Sequence, residues 1–443
     1  MGKKIFYVLA VLGIFILLGF MAVYFSTGNK DITLDAEHSD TREATLYHYF
    51  SGSLSGGINE MLEKINQQQG TTQVVAHALD HEAFKSMITE SMTQEMAPDL
   101  FTYWAGAKTQ TMVDQQLLEP IDDLWEDLSL DDRFPTPIIE AASTYNNQKY
   151  LLPITQHIVV FFYNKQIFKN ADIDPPVNWE QFIEACDTLK QEGITPIALG
   201  ARERWPAQFW FDYLLLRTAG PKYRAALMRG ERSYLDPEVV SVYATWSSMI
   251  QAGYFNTDAN EKDWAQATEK VCKGEAAATL MGTWAIQLFT GNNCRMEAER
   301  DFDYFVFPTI SPNVPGVSVG PIDGIVMTRE TRHRVIAAKV MAYASEEAPQ
   351  KLMSTGSGAL APSREVPGSF YSTFKQRLLQ EIQTTEYWAF NYDLATPPEV
   401  AERGLDSFNE LIAFPGEYQE ILKYLQETLH ELFVYRKTEE SID

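Results

Sequence analysis

Basic residues are scarce in this chain. Lys and Arg number 36 against 60 Asp and Glu, for a formal net charge of −24. Such a polyanion repels phosphate backbones and anionic lipid headgroups, which argues against a nucleic-acid partner. Cysteine is scarcer still: Cys186, Cys272 and Cys294. An odd number rules out a fully paired framework, and no Cys/His cluster has zinc spacing. Cys186 falls on the apolar face of a predicted helix and reads as a small buried hydrophobe. Cys272 and Cys294 could close a loop in an oxidising compartment or stay free. Catalytic signatures are missing as well: there is no Gly-x-Ser-x-Gly elbow, no P-loop and no His-Glu-x-x-His. His77 and His81 lie four apart, but Leu79-Asp80 breaks strand from helix between them, so no metal is expected there. Nothing calls for a cofactor. Asp122/Asp123 and Asp131/Asp132 read as solvated acids, although sequence alone leaves a glycosidase pair open.

What the chain does have begins at its N-terminus. Lys3 and Lys4 precede an uncharged apolar segment from Ile5 to Phe25, long enough to cross a bilayer as a helix. Residues 1–30 therefore read as an export signal or N-terminal membrane anchor, with 31–43 as a tether. Both lysines stay on the cytoplasmic side and the body lies outside, in the periplasm or at the cell surface. Retention as an anchor is the preferred expectation; cleavage in the Met21–Ser26 region is the alternative.

The body, at 443 residues less that segment, is too long for one core and predicts two domains. Strand and helix patterns alternate from Thr45 to Trp104, as in a parallel α/β sheet. Ligands bind beyond the carboxyl ends of such strands, which singles out His48–Ser51 and Trp104–Gly106. Tyr150–Lys165 is the pivotal stretch. Its Val159–Tyr163 segment suits a strand buried on both faces, Pro153 interrupts the entry, and Gln156 and His157 follow at once. A second α/β pattern restarts after Lys165, with Asn178 as a helix cap and Gln181 placed for a capping box. Tyr150–Lys165 is thus either a strand with an irregular entry or a crossover between two domains, and a Pro/Gly-rich loop, Pro308–Pro321, is a second candidate crossover. Ser354–Ser363 reads as a flexible turn, and the remainder as mostly helical.

The positive chemical signal is aromatic. Trp104, Trp205, Trp284 and Trp388 each sit beside small or turn residues, whereas Trp179 and Trp246 fall on helix stripes and belong to the core. An indole offers a flat apolar face to a sugar ring while its N–H can still donate. Gln156, His157, Gln208, Asp323 and Arg364 are suitable partners for hydroxyl groups.

Several segments resemble the extracellular solute-binding proteins of bacterial carbohydrate ABC importers, the maltose-binding-like family. They are Pro98-Asp99-Leu100-Phe101 with Trp104, Leu117-Leu118-Glu119-Pro120-Ile121, and Leu152-Pro153 with Tyr163-Asn164-Lys165. Pro175-Pro176 before Asn178-Trp179-Glu180-Gln181-Phe182 follows, then Gly274-Glu275-Ala276-Ala277 leading to Gly282-Thr283-Trp284. Gly320–Ile325 and Gly358–Arg364 close the series.

The resemblance implies a periplasmic-binding-protein type II fold: two α/β lobes joined by hinge crossovers around a ligand cleft. The expected division is 44–153 and 322–356 for the N-lobe, 154–310 and 357–443 for the C-lobe, with hinges near 153–157 and 308–322. It implies a monomeric, non-catalytic protein that captures a sugar or oligosaccharide and delivers it to ABC transporter permease subunits. The expected ligand-binding residues are His48, Phe50, Ser51, Trp104, Gln156, His157, Trp205, Gln208, Trp284, Gly320, Asp323, Arg364 and Trp388. Trp284 matches the family's cleft tryptophan, and Trp104 its N-lobe aromatic. His157 stands where relatives often carry a ligand-contacting acid. A glycan-active enzyme (lyase or hydrolase) and a membrane-anchored sugar sensor are the alternatives.

Overall fold

A computed structural model describes residues 43–69, 73–93 and 97–439. The N-terminal segment read as signal, anchor and tether lies outside the described residues except for Glu43, which begins the first strand. Among the described residues, no helix is long and apolar enough to cross a membrane.

The first half of the chain builds a five-stranded sheet. Its first three strands are β1 (Glu43–His48), β2 (Gln73–Ala78) and β3 (Leu100–Trp104), linked by helices α1 (Gly56–Gln69) and α2 (His81–Thr93). These strands are parallel, as helix-linked strands must be when they enter from the same end. Helix α3 (Ala107–Asp114) follows, then strand β4 (Leu151–Gln156). The chain next forms a second, four-stranded sheet from β5 (Val159–Asn164), β6 (Thr195–Ile197), β7 (Ala276–Gly282) and β8 (Phe302–Phe305). Helices α4 (Trp179–Gln191), α5 (Gln208–Thr218) and α6 (Trp264–Cys272) belong to this half. Strand β9 (Val317–Val319) precedes β10 (Ile322–Met327), which returns to the first sheet; helix α7 (Glu347–Ser357) follows. Helix α8 (Thr373–Thr384), strand β11 (Tyr387–Ala389) and helix α9 (Pro398–Ala413) lead to the C-terminal helix.

The first sheet has the order β2-β1-β3-β10-β4, the second β8-β5-β7-β6, and β9 and β11 form a two-stranded ribbon. The three strands read from the alternating pattern are parallel as expected, and β10 makes the sheet mixed. Strand β10 comes back from the second sheet without a helical crossover and so runs antiparallel to both neighbours. Pro153 is tolerated because β4 is an edge strand. The register shifts there, Thr155 facing Asp323 and Pro153 facing Gly324, so Ile154 is the extra residue of a bulge.

Buried apolar side chains form two clusters, one per sheet. Leu46, Phe101, Leu152 and Ile325 belong to the first, and Phe161, Trp210, Trp246 and Phe408 to the second. Every residue of β5 is buried, because helices cover both of its faces. Backbone hydrogen bonds tie the passages between the sheets side by side. His157 N donates to Pro321 O (3.0 Å), and Gln156 and Leu360 exchange N–H···O bonds (both 2.9 Å).

Two local expectations need correction. Ser354–Ser357 closes α7, and 357–363 are buried throughout, so this segment is a packed passage rather than a flexible turn. Asn178 does cap α4, accepting from Gln181 N, but Gln181 Oε1 accepts from Val177 N instead of completing a box with Asn178. Cys272 and Cys294 are joined, with Cα atoms 5.6 Å apart, and Cys186 is free and buried.

Candidate functional site

Strand ends from the two sheets enclose a cavity of about 350 Å³. On the first side stand Tyr49, Phe50 and Ser51 just past β1, Trp104 at the end of β3, His81 and Lys85 on α2, and Lys108 on α3. Asp323, near the start of β10, lies with them. The second side supplies His157, Trp205, Gln208 at the start of α5, Trp264 at the start of α6, and Trp284 just past β7. The chain after β11 adds Asn391, Asp393 and Leu394. The arrangement follows from topology, since strand carboxyl ends leave the concave space that side chains line.

Several groups of the first wall bind one another. Tyr49 stacks on Trp104, ring centroids 4.2 Å apart and 15° between planes, and the Lys108 ammonium lies 5.1 Å from the Trp104 ring. Asp323 accepts from Tyr49 Oη (2.8 Å) through one oxygen and from Thr155 Oγ1 (2.5 Å) through the other. Burial pushes the Asp323 carboxyl up to about 6, against the pull of these two hydrogen bonds. His157 Nδ1 meets Thr283 Oγ1 at 2.8 Å, while Nε2 lies 3.5 Å from Asp323 Oδ2. Burial, with the Lys375 charge adding to it, lowers His157 to about 3, so its imidazole is neutral at pH 7.

The second wall is not satisfied. Trp205 and Trp284 meet edge-on at 5.8 Å, and His157 packs on Trp284 at 5.2 Å. The indole N–H groups of both tryptophans are buried without a hydrogen-bond partner among the described residues. Gln208 Oε1 accepts from Asp393 N (2.8 Å), which turns its amide NH₂ away, and that nitrogen is also unpartnered. Asn391 donates to Asp393 Oδ1 (2.6 Å), leaving its own Oδ1 without a donor. Buried polar groups are normally paired, and these four unpaired ones belong to residues that line a single cavity.

Charges rim the cavity in pairs. Lys85 bonds Glu82 (2.8 Å), Arg202 bonds Asp263 (2.8 Å) and Lys108 bonds Asp393 (2.8 Å). Burial opposes the ionised Glu82, but the hydrogen bond from His81 and the Lys85 charge outweigh it and bring this carboxyl to about 2. Burial raises Glu203, and the charges of Glu82 and Asp263 push in the same direction. Among the described residues, no group of three His, Cys, Asp or Glu could hold a metal ion.

Of the residues expected from sequence, Phe50, Ser51, Trp104, His157, Trp205, Gln208, Trp284 and Asp323 line the cavity. Five do not. His48 is buried inside the first lobe, where desolvation lowers it to about 4. Gln156 spends its backbone on Ile322 and Leu360, and its side chain is buried away from the cavity lining. Gly320 serves a close approach: a β-carbon there would sit 1.9 Å from the His157 carbonyl oxygen. Arg364 is exposed, and its guanidinium donates to Phe134 O. Trp388, on β11, packs on the core of the first lobe.

Sequence reasoning missed Tyr49, His81, Lys85, Lys108, Trp264, Asn391 and Asp393. Trp264 had a legible signal: Asp263 and Gln266 bracket it with capping-box spacing, and the box is formed. Asp393 had none, because its partner Lys108 is 285 residues away.

Residues 51–351 match the family model described as "Bacterial extracellular solute-binding protein". An uncharacterized ABC transporter extracellular-binding protein of Pyrococcus horikoshii is 26% identical over 396 residues, spanning 88% of this chain and 87% of that protein. A probable sugar-binding periplasmic protein of Brucella melitensis biotype 1 is 22% identical over 353 residues, 79% of this chain and 81% of its own length. Among solved structures, the bacterial solute receptor AcbH, with exclusive substrate preference for β-D-galactopyranose, superposes with a TM-score of 0.81. It is 24% identical, covering 88% of this chain and 99% of that one. A chitin oligosaccharide binding protein also gives 0.81 at 20% identity, with 88% and 99% covered. These likenesses show the fold: periplasmic-binding-protein type II, two α/β lobes with a ligand cleft between them.

Proposed function

The chain belongs to the bacterial extracellular solute-binding proteins, and from that membership and its cleft we propose that it captures a sugar or short oligosaccharide for an ABC importer. The observation that carries this reading is the unsatisfied second wall. Two indole N–H groups, an amide NH₂ and an amide oxygen have no partner among the described residues, and the residues that carry them line a space suited to one or a few sugar rings. Relatives described as sugar-binding support the ligand class, and their transporter context supports delivery to permease subunits.

The protein acts as a monomer and without catalysis. Lobes 44–153 plus 322–356 and 154–310 plus 357–443 rotate about hinges near 153–157 and 308–322. Ligand contacts made only in the closed state shift the equilibrium. The body works outside the cytoplasm, tethered by residues 5–25.

A thermal-shift screen against mono- and oligosaccharides tests the reading. A true ligand at 100 times its dissociation constant should add about 2.7 kcal/mol to stability and be recovered intact. Release of new reducing ends, lost on mutating a cleft acid, would replace this reading with a glycan-active enzyme. No stabilisation by any sugar would remove carbohydrate as the ligand class.

A further inference from the structure

The segment from β11 to Leu394 belongs to both lobes. Tyr387 and Ala389 pack on the core of the second lobe, Trp388 and Phe390 on that of the first. Its polar side-chain anchors other than Lys108 are in the second lobe. Asp212 and Arg224 form a buried pair, Nη2 to Oδ1 at 2.6 Å, with Asp212 0% and Arg224 4% exposed. Asp212 Oδ2 accepts from Tyr392 N (2.8 Å), and Arg224 Nη2 also donates to Phe390 O (2.8 Å). Tyr392 Oη meets Tyr234 Oη at 2.8 Å, and Gln208 holds Asp393 N. A buried ion pair costs desolvation, and here it is spent on backbone groups beside the cavity. The result is a rigid platform whose end residue, Asp393, points a carboxylate at the opposite lobe. There it meets Lys108 Nζ at 2.8 Å. The start of α3 is equally close: Gly106 has φ 107°, and a β-carbon on it would lie 2.3 Å from Leu394 O.

Asp393, Asn391, Lys108 and Gln208 all line the cavity. Asp393 and Asn391 Oδ1 accept; Lys108 and Gln208 Nε2 donate. A hydroxyl group does both. Two adjacent hydroxyls therefore match the set, whereas a carboxylate-bearing sugar would face Asp393 with like charge.

We propose that Asp393 and Lys108 form a cross-lobe clasp that reads two neighbouring hydroxyls of a neutral sugar. Asp212 and Arg224 act as the positioning pair behind it. This deepens the sugar-binding reading and rests on it. Lobe closure brings the clasp together and recognition completes it, so binding and closure are coupled through these two side chains.

The test uses a sugar identified by the thermal-shift screen. Its affinity is measured by calorimetry for the wild type, D393N, K108M and the double variant, with small-angle scattering of the unliganded proteins. Each single variant should lose about 30-fold in affinity or more. The double variant should lose less than the product of the two. K108M should also enlarge the unliganded molecule. Removing one of the two hydroxyls should cost the wild type about 10-fold and D393N under about 3-fold. Folded variants binding within about 3-fold of wild type overturn the clasp while leaving sugar binding intact. If D393N fails to fold, K108M decides alone by the same criterion. A wild type that binds no sugar overturns the clasp together with the sugar-binding reading.

Discussion

The two walls of the cavity are built from similar residues to different ends. On the first, Tyr49 covers a face of Trp104, and each oxygen of Asp323 accepts from Tyr49 or Thr155. On the second, Trp205, Trp284 and Gln208 keep donors that no described residue accepts. An aromatic beside a cleft is therefore not a platform by virtue of position. What its ring and its N–H already touch decides whether it serves the fold or the guest.

The largest expected effect lies on the first wall. Trp104→Ala should destabilise the protein by about 3–5 kcal/mol, read by denaturant unfolding, because it empties a packed stack. A small loss of stability with a large loss of affinity would make the two walls alike and break the contrast. Trp284→Ala should do the reverse, weakening sugar binding by about 2 kcal/mol or more with little change in unfolding. Unchanged affinity with a large drop in melting temperature would move Trp284 into the core.

The wall junction adds a pH signature. His157 is held well below its ordinary value, so the unfolded chain takes up a proton there that the native state refuses. Its contribution to stability is full above about pH 6.5 and is lost as pH falls toward 3. Asp323, raised to about 6, has the opposite sign: it favours the native state as pH falls from about 6 to 4. In wild type the two offset each other. His157→Gln should leave Asp323 alone, so the stability difference between variant and wild type should change by about 1.4 kcal/mol per pH unit below 6.5. Parallel unfolding profiles at pH 4, 5, 6 and 7 would refute it. The smallest effect belongs to Arg364, far from both walls in its contacts. Arg364→Ala should cost under about 1 kcal/mol of stability and leave affinity unchanged, as a calorimetric titration would show.

Local pattern made much of the fold legible. The β-branched and aromatic run at Val159–Tyr163 announced a strand covered on both faces, and Asn178 announced a helix start. The antiparallel return of β10 was invisible, because direction depends on where a chain re-enters a sheet. In the site, residues at strand ends such as Phe50 and Trp104 could be found from topology, whereas Trp284 came from its aromatic setting and the family resemblance. Trp388 carried the same local signature, yet the β9–β11 ribbon turns it onto the core of the first lobe. Gly320 and Arg364 lay in family-like segments, but one accommodates a backbone carbonyl and the other holds one.

The sequence by itself determined most elements and the aromatic character of the candidate cleft, because periodicity and side-chain type are local properties; the two-lobed class came with the family resemblance. Only the tertiary structure decided which aromatics are already covered and which donors are left free. It alone brought Asp393 to Lys108 across 285 residues of chain. Pairing between residues distant in the chain is a matter of distance in space, which local spacing does not encode.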